Sequence, residues 1–233
     1  MIKEISIVGT GNLAYHFVQM ISCVDGLNIN EIIGRHEKIP KAFRKFELNY
    51  SSDISNILKS DLYLILVSDD YIKDICLNLK DLNGIVSHCS GSIDIEVLKE
   101  CNKYGVIYPL QTFSFNRKID FTRTPILIEG NSEKSLEKLK ELCQILELEF
   151  EEVDSKKRLH YHLSALFANN FTNHILSLTD ELINKFKLKK KFFIPIANET
   201  FKNFQSNKSK ESQTGPAVRN DLKTLKKHEE ILK

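Results

Sequence analysis

Ile5-Ser6-Ile7-Val8-Gly9-Thr10-Gly11-Asn12-Leu13-Ala14 decides how this 233-residue chain folds. An apolar run with β-branched residues stops at a glycine. A helical pattern begins a few residues later and runs from about Leu13 to Ile21. The stretch therefore reads as strand, tight turn and helix. Gly9 supplies the backbone angles of a sharp turn, and Gly11 leaves room for a pyrophosphate. Ala14 lets the helix pack close on the strand. The first N–H groups of the helix and its positive dipole end face the loop, which suits a phosphate. The spacing is GxGxxA, so Gly9, Thr10, Gly11, Asn12 and Leu13 are the expected contacts of a dinucleotide.

Working outward, Ile29 to Gly34 is the second strand, and its tip chooses the cofactor. An acidic residue there would hold a ribose 2′-hydroxyl, whereas an arginine suits a 2′-phosphate. The tip carries Arg35 and His36, and Glu31 lies too early, inside the strand. NADP is expected ahead of NAD. Lys41 to Phe46 reads as a short helix, Leu48 to Ser51 as an edge strand, and Ile54 to Lys59 as a helix capped by Ser52-Asp53.

Leu62 to Val67 is the strongest buried strand, and it ends in Ser68-Asp69-Asp70 before a helix through about Leu79. Ser68 and Asp69 are expected beside the cofactor, with Asp70 as a helix N-cap. Ile85 to Ser87 is the next strand, followed by His88-Cys89-Ser90-Gly91-Ser92 and a helix from Asp94 to about Asn102. Val106 to Tyr108 leads into Pro109-Leu110-Gln111-Thr112-Phe113-Ser114. Pro125 to Glu129 is a strand, Glu133 to Leu146 a helix, and Glu149 to Val153 the last strand. The alternation predicts an α/β, doubly wound, mostly parallel Rossmann sheet over residues 1–154.

From Asp154 onward the strands stop. Lys156 to about Phe186 and Phe192 to Phe204 read as helices, and Thr214-Gly215-Pro216 as the opening of a last one. Residues 155–233 are thus an expected all-α C-terminal domain. Phe192, Phe193, Phe201 and Phe204 are expected in its core, with an interface as the alternative. So small a helical region needs a partner to bury its apolar faces, which predicts a homodimer.

Composition narrows the function classes. A hydrophobic content of 42% with 27% charged residues is that of a globular protein, and a net charge of +2 leaves no footprint for nucleic acid. No apolar run is long enough to span a membrane. The five dispersed cysteines predict reduced thiols and a cytoplasmic location. The N-terminus enters a strand at once, which predicts no signal peptide. No Cys/His/Asp cluster has metal spacing, so no metal is expected.

The blocks GTGNLA (9–14), VSDD (67–70), HCSGS (88–92), YPLQTFS (108–114), HLSALFANNF (162–171) and TGPAVRND (214–221) occur in this order. Together they resemble the bacterial Rossmann-like oxidoreductases with a C-terminal helical domain of unknown function. That group is similar in its first domain to pyrroline-5-carboxylate reductases, and in its second to 6-phosphogluconate dehydrogenase-like enzymes. Some of its members act as alternative ketopantoate reductases. The resemblance implies an NADP-dependent oxidoreductase that reduces a small carboxylate-bearing ketone or imine. Ketopantoate is its leading candidate and a pyrroline carboxylate its second. The chain departs from the family in three ways. Tyr108 stands where histidine is common, Asn220 where glycine is common, and the chain stops soon after the last block, where relatives usually continue; nor does the 162–171 block carry the lysine that related dehydrogenases supply from this helix. These departures leave room for a second reading, an NADP-binding redox sensor without turnover.

Hydride transfer needs a donor for the developing charge. His162 and His88 are the candidate acids. For His88 the alternatives are a nicotinamide contact and a buried histidine satisfied by backbone. Asn170 is the candidate for orienting substrate. Ser90 and Gly91 can offer backbone N–H groups, Ser90 to the cofactor and Gly91 to the substrate. Tyr108 and Gln111 would line the substrate site. A helix starting at Thr214-Gly215 could bind an anion, with Arg219 clamping a carboxylate in the cleft between the halves.

Overall fold

The computed structural model describes residues 1–206 and 208–233. They form two compact units, Met1–Asn169 and Asn170–Lys233. The first holds one eight-stranded sheet in the order β3-β2-β1-β4-β5-β6-β7-β8. Its strands are β1 Glu4–Val8, β2 Asn28–Ile33, β3 Tyr50–Ser51, β4 Leu62–Ile65, β5 Ile85–His88, β6 Tyr104–Pro109, β7 Ile126–Gly130 and β8 Phe150–Glu152. All neighbours are parallel except β6 and β7. The chain leaves β6 at the crest and re-enters β7 from the same end, so no crossover is needed and the pair runs antiparallel.

Helices α1 (Asn12–Ile21), α2 (Ile72–Leu79), α3 (Glu133–Ile145) and α4 (Ser155–Ala165) complete this unit. Two apolar layers cover the sheet. Ile5, Ile7, Phe17, Ile32, Leu64 and Ile128 belong to one, and Ile65, Ile72, Val86, Leu98 and Val106 to the other. Register aligns Ile33, Val8, Ile65, His88, Val106 and Glu129 in one row across six strands. Paired residues in a row face the same side of a sheet. His88 and Glu129 thus share a face, and Tyr108 joins it two residues along β6.

Two expected helices are shorter than their patterns suggest, and one expected cap is displaced. The helix expected over Ile54–Lys59 is one 3₁₀ turn, Ile54–Asn56, capped by Asp53. Beyond it, side chains of β2 take the backbone: Glu31 accepts from Leu58 N–H, and Asn30 donates to Lys59 O at 3.0 Å. The helix expected from Asp94 is another 3₁₀ turn, Ile95–Leu98. Ile95, Leu98 and Cys101 are buried at a spacing of three, which matches 3₁₀ and not α periodicity. Asp70 is not an N-cap. It lies inside the 3₁₀ turn Asp69–Tyr71, and Ser68 takes the cap position.

The second unit holds the end of a π-helical turn, Leu166–Phe171, then α5 (Thr172–Lys185), α6 (Ile194–Gln205) and α7 (Leu222–Leu232). No described helix is long and apolar enough to cross a membrane. Two expectations fail in this unit. Phe192, Phe201 and Phe204 are exposed at 67%, 44% and 63%, so they are not core within one chain. No helix opens at Thr214-Gly215; turns fill that stretch, and α7 begins at Leu222 with the Asp221 carboxylate on Thr224 N–H. The Asp221 cap answers the start of α7, and with no helix start at Thr214-Gly215 those two residues lose the anion role expected of them, which leaves Arg219 alone as the carboxylate candidate. Asn220 has φ of 53°, a left-handed conformation that asparagine tolerates better than most residues. This accounts for its standing where the family commonly has glycine.

Candidate active site

The loop after β1 has two glycines with opposite surroundings. Gly9 has φ of 130°, and a Cβ there would lie 2.2 Å from Leu66 O. Nothing lies within 4 Å of a Cβ built at Gly11, which is exposed and precedes α1 with no side-chain cap on the helix. The loop thus packs tightly on β4 and leaves an open cradle above the helix N-terminus. That combination fits a dinucleotide pyrophosphate. Thr10 packs towards Gly34 at the tip of β2, and Leu13 is half-buried. Asn12 Oδ1 accepts from Phe115 N–H at 3.2 Å.

Arg35 and His36 are exposed at the end of β2, and no carboxylate among the described residues forms an ion pair with Arg35. Glu31 is buried and engaged by Leu58 N–H and, at 3.4 Å, by Ser6 Oγ. Its distance in sequence from the tip is therefore matched by its chemistry, because its carboxylate is committed inside the sheet. Ser68 is exposed at the end of β4. Asp69 accepts from Ser92 Oγ at 2.7 Å, so it holds the next loop.

That loop, Ser90–Ile93, is built by its own side chains. Ser90 N–H donates to His88 Nδ1 at 3.1 Å, and the N–H groups of Ser92 and Ile93 both donate to Ser90 Oγ at 3.2 Å. The Ser90 N–H is therefore not offered outward. Of these four N–H groups, only that of Gly91 has no partner among the described residues. A Cβ at Gly91 would lie 2.7 Å from both His162 Nδ1 and Tyr108 Cζ. The two side chains meet over this glycine, with the Tyr108 hydroxyl 3.0 Å from His162 Nδ1 and the rings edge to face. Burial pushes the Tyr108 phenol above its ordinary pKa, so it stays protonated and can donate.

His88 lies beneath this pair, wholly buried. Burial, helped by the nearby Arg158 charge, drives its pKa down to about 3. With Nδ1 accepting from Ser90, its proton sits on Nε2. The Ser90 backbone satisfies Nδ1, whereas Nε2 is buried with no hydrogen-bond partner among the described residues, so backbone meets only half of what this neutral imidazole can form. Because the folded pKa is depressed below the unfolded value near 6.5, the unfolded chain takes up the proton first as pH falls. The stability present above pH 6.5 should then be lost by about 1.4 kcal/mol per pH unit towards pH 3. Acid unfolding of His88→Asn, which keeps an acceptor facing Ser90, should show a shallower limb than wild type. Parallel limbs would refute the assignment.

Two contributors escaped the sequence. His16 is buried on α1, and its Nε2 lies 2.9 Å from Ser114 O. With Asn12 it fixes the Gln111–Arg117 loop beside the dinucleotide loop, within a cluster of Tyr15, Phe43, Phe113 and Phe121. A histidine among the buried α1 positions Ala14, Phe17, Val18 and Ile21 was the available signal. Arg158 is the second, and its ion pair with Glu129 is nearly closed to solvent. Gln111 is exposed, and its Oε1 accepts from Thr112 N–H at 2.9 Å. Asn170, Thr214, Gly215 and Arg219 belong to the second unit. Asn170 lies in the π-helical turn, and Arg219 is exposed on the turn that precedes α7. No three His, Cys, Asp or Glu side chains gather as a metal-holding group among the described residues.

Sheet order, glycine loop and crest together define a Rossmann-like α/β protein with a helical second unit. Residues 124–233 match the family model described as Domain of unknown function (DUF2520). BF3122 of Bacteroides fragilis, provisionally assigned as an NADP oxidoreductase, is 30% identical over 99% of this chain and 91% of its own, with a TM-score of 0.88. The chain belongs to this family of Rossmann-like oxidoreductases with a C-terminal domain of unknown function. TM1727 of Thermotoga maritima shares the fold at 21% identity, covering 96% of this chain and 87% of its own, with a TM-score of 0.70. A Plasmodium falciparum pyrroline carboxylate reductase with NADP bound shares it at 16% identity, covering 98% and 90%, with a TM-score of 0.64. No curated protein matches.

Proposed function

We propose that this protein is an NADPH-dependent reductase of a small ketone or imine bearing a carboxylate. The observation that carries the proposal is the open cradle at Gly11, which lies on the same sheet crest as the Tyr108–His162 pair. Gly9, Thr10, Gly11, Asn12 and Leu13 would hold the pyrophosphate, and Arg35 with His36 the 2′-phosphate. Ser68, Asp69 and Ser90 would border the remainder of the cofactor. When bound, the reduced nicotinamide supplies a hydride.

The chain's own residues supply the rest. His162 gives a proton to the developing oxygen or nitrogen charge. As the imidazolium, His162 donates its Nδ1–H to the Tyr108 hydroxyl, which fixes the ring and aims the Nε2 proton at the substrate; a neutral imidazole remains once that proton has gone. Gly91 N–H is a further donor, and Gln111 lines the approach. Arg219 would bind the carboxylate, and Asn170 would orient the substrate from a π-helical turn, a feature that recurs at functional sites. Ketopantoate and a pyrroline carboxylate are the first substrates to test. The exposed apolar side chains of the second unit, among them Ile175, Phe192, Ile196 and Phe204, support a homodimer.

Melting with NADPH, NADH or neither tests the cofactor. NADPH at about a hundred times its dissociation constant should add about 2.7 kcal/mol, or roughly 5 to 10 °C. Arg35→Ala should weaken NADPH by about tenfold or more and leave NADH unchanged, since it removes a charge-assisted phosphate contact. An equal loss for both cofactors would remove the 2′-phosphate assignment. NADPH oxidation with a panel of keto acids and cyclic imines then tests turnover. A thermal shift without oxidation of NADPH by any of them would favour the redox sensor, and no shift would reject both readings.

A further inference from the structure

Arg158 is the largest side chain in this chain to be almost completely buried, at 1% exposure. It comes from α4, one helical turn before His162. Residues four apart lie on one face of a helix. Its guanidinium reaches three separate parts of the first unit. One nitrogen donates to the Glu129 carboxylate on β7. The other donates to Ile93 O at 2.5 Å and to Ser155 Oγ at 3.1 Å.

Ser155, the first residue of α4, closes the network. Its N–H donates to Glu129 Oε1 at 3.0 Å, and its hydroxyl to Oε2 at 2.9 Å. The same hydroxyl accepts from Ile95 N–H at 3.0 Å. Ile93 and Ile95 flank Asp94, directly after the turn that carries Gly91. The network therefore ties the end of the Gly91 turn and the start of the His162 helix to one carboxylate on the sheet. A buried ion pair adds little stability over an apolar pair of the same shape, but its directional bonds allow only one arrangement. The exposed contact of Lys157 with Glu151 at 2.6 Å and the half-buried one of Tyr161 with Glu151 at 2.6 Å reach only β8.

We propose that Arg158, locked to Glu129, is the positioning residue of the Tyr108–His162 pair. It holds the Gly91 turn and α4 in one register, so that His162 Nδ1 meets the Tyr108 hydroxyl above Gly91. Arg158 gives its hydrogen bonds to Glu129, Ile93 and Ser155 and none to either ring; its charge bears on the Tyr108 phenol, and its positioning acts through the helix and the turn. The effect on turnover rests on the reductase reading, whereas the placement of His162 does not.

The test compares imidazole NMR signals of His162, assigned by their loss in His162→Gln, among wild type, Arg158→Met, Arg158→Lys, Glu129→Gln and Lys157→Ala. Arg158→Met should shift the His162 signals and lower kcat at least tenfold, with KM for NADPH unchanged. Arg158→Lys should recover part of both, because it restores the charge and one donor. Lys157→Ala, which loses an exposed contact on the same helix, should match wild type. A folded Arg158→Met with wild-type His162 signals would overturn the proposal. If Arg158→Met does not fold, the near-isosteric Glu129→Gln decides, and unchanged signals there overturn it equally. Absence of turnover in wild type would defeat the reductase reading, while the NMR comparison would still decide the positioning role.

Discussion

Gly9→Ala is expected to lower the melting temperature by roughly 6 to 20 °C, whereas Gly11→Ala should melt close to wild type and lose the response to NADPH. The two glycines are separated by one residue and ask different things of the backbone. At Gly9 a methyl would meet Leu66 O at 2.2 Å, in a conformation with φ of 130° that residues with side chains rarely adopt. Neither the carbonyl nor the strand behind it can retreat without breaking the β1–β4 pairing, in which Leu66 N–H donates to Val8 O at 2.7 Å. Strain and displaced packing of this kind cost about 3 to 5 kcal/mol.

At Gly11 a methyl meets nothing within 4 Å, and φ of −81° suits alanine. The fold should change by less than about 1 kcal/mol, because glycine and alanine differ modestly at a helix start. The methyl would instead occupy the space through which a pyrophosphate approaches the helix. NADPH should bind at least tenfold more weakly, about 1.4 kcal/mol. Thermal melts of both variants with and without NADPH make the comparison. If Gly11→Ala keeps the full NADPH shift, the cradle lies elsewhere.

The second large effect is expected at the ring pair. His162→Gln should reduce kcat by about 10² to 10⁴, the usual contribution of a positioned general acid. Tyr108→Phe removes only the hydroxyl and keeps the ring that packs on Gly91, so it should lower kcat with little change in melting temperature. If Tyr108 acts by fixing His162, the double variant should be no slower than His162→Gln alone. Additive losses would mean that the phenol acts on the substrate by itself. Both single variants should keep the NADPH-induced thermal shift, which separates a chemical defect from a binding defect.

Much of the fold was legible because its signals are local. Apolar runs of strand length, separated by helical patterns and closed by glycine, dictate a parallel sheet wound on both faces. The dinucleotide loop was legible for the same reason, since turn, close approach and helix start all fall within ten residues. Local reading failed where another element takes the backbone. The helix expected to reach Lys59 stops early because Glu31 and Asn30 bind its would-be last turn. The helix expected from Asp94 becomes a 3₁₀ turn because burial recurs every third residue. The phenylalanines at 192, 201 and 204 looked like core because aromatic residues at helical spacing usually are, yet one copy of the chain leaves them exposed.

The sequence by itself determined the class of fold, the glycine loop and the residue types available at the crest. It named His162, Tyr108 and Gly91 as separate candidates from separate blocks. Tertiary structure alone decided that these three meet, because strand register and the docking of α4 bring together residues up to 71 positions apart. It also decided where Arg158 of the run Lys156-Lys157-Arg158 goes. In sequence this is a basic run of the kind that usually faces solvent. In the fold Arg158 turns inward to the carboxylate of Glu129, 29 residues away. No local pattern carries that choice, because the desolvation of a guanidinium is compensated only where a distant carboxylate and carbonyl converge on it.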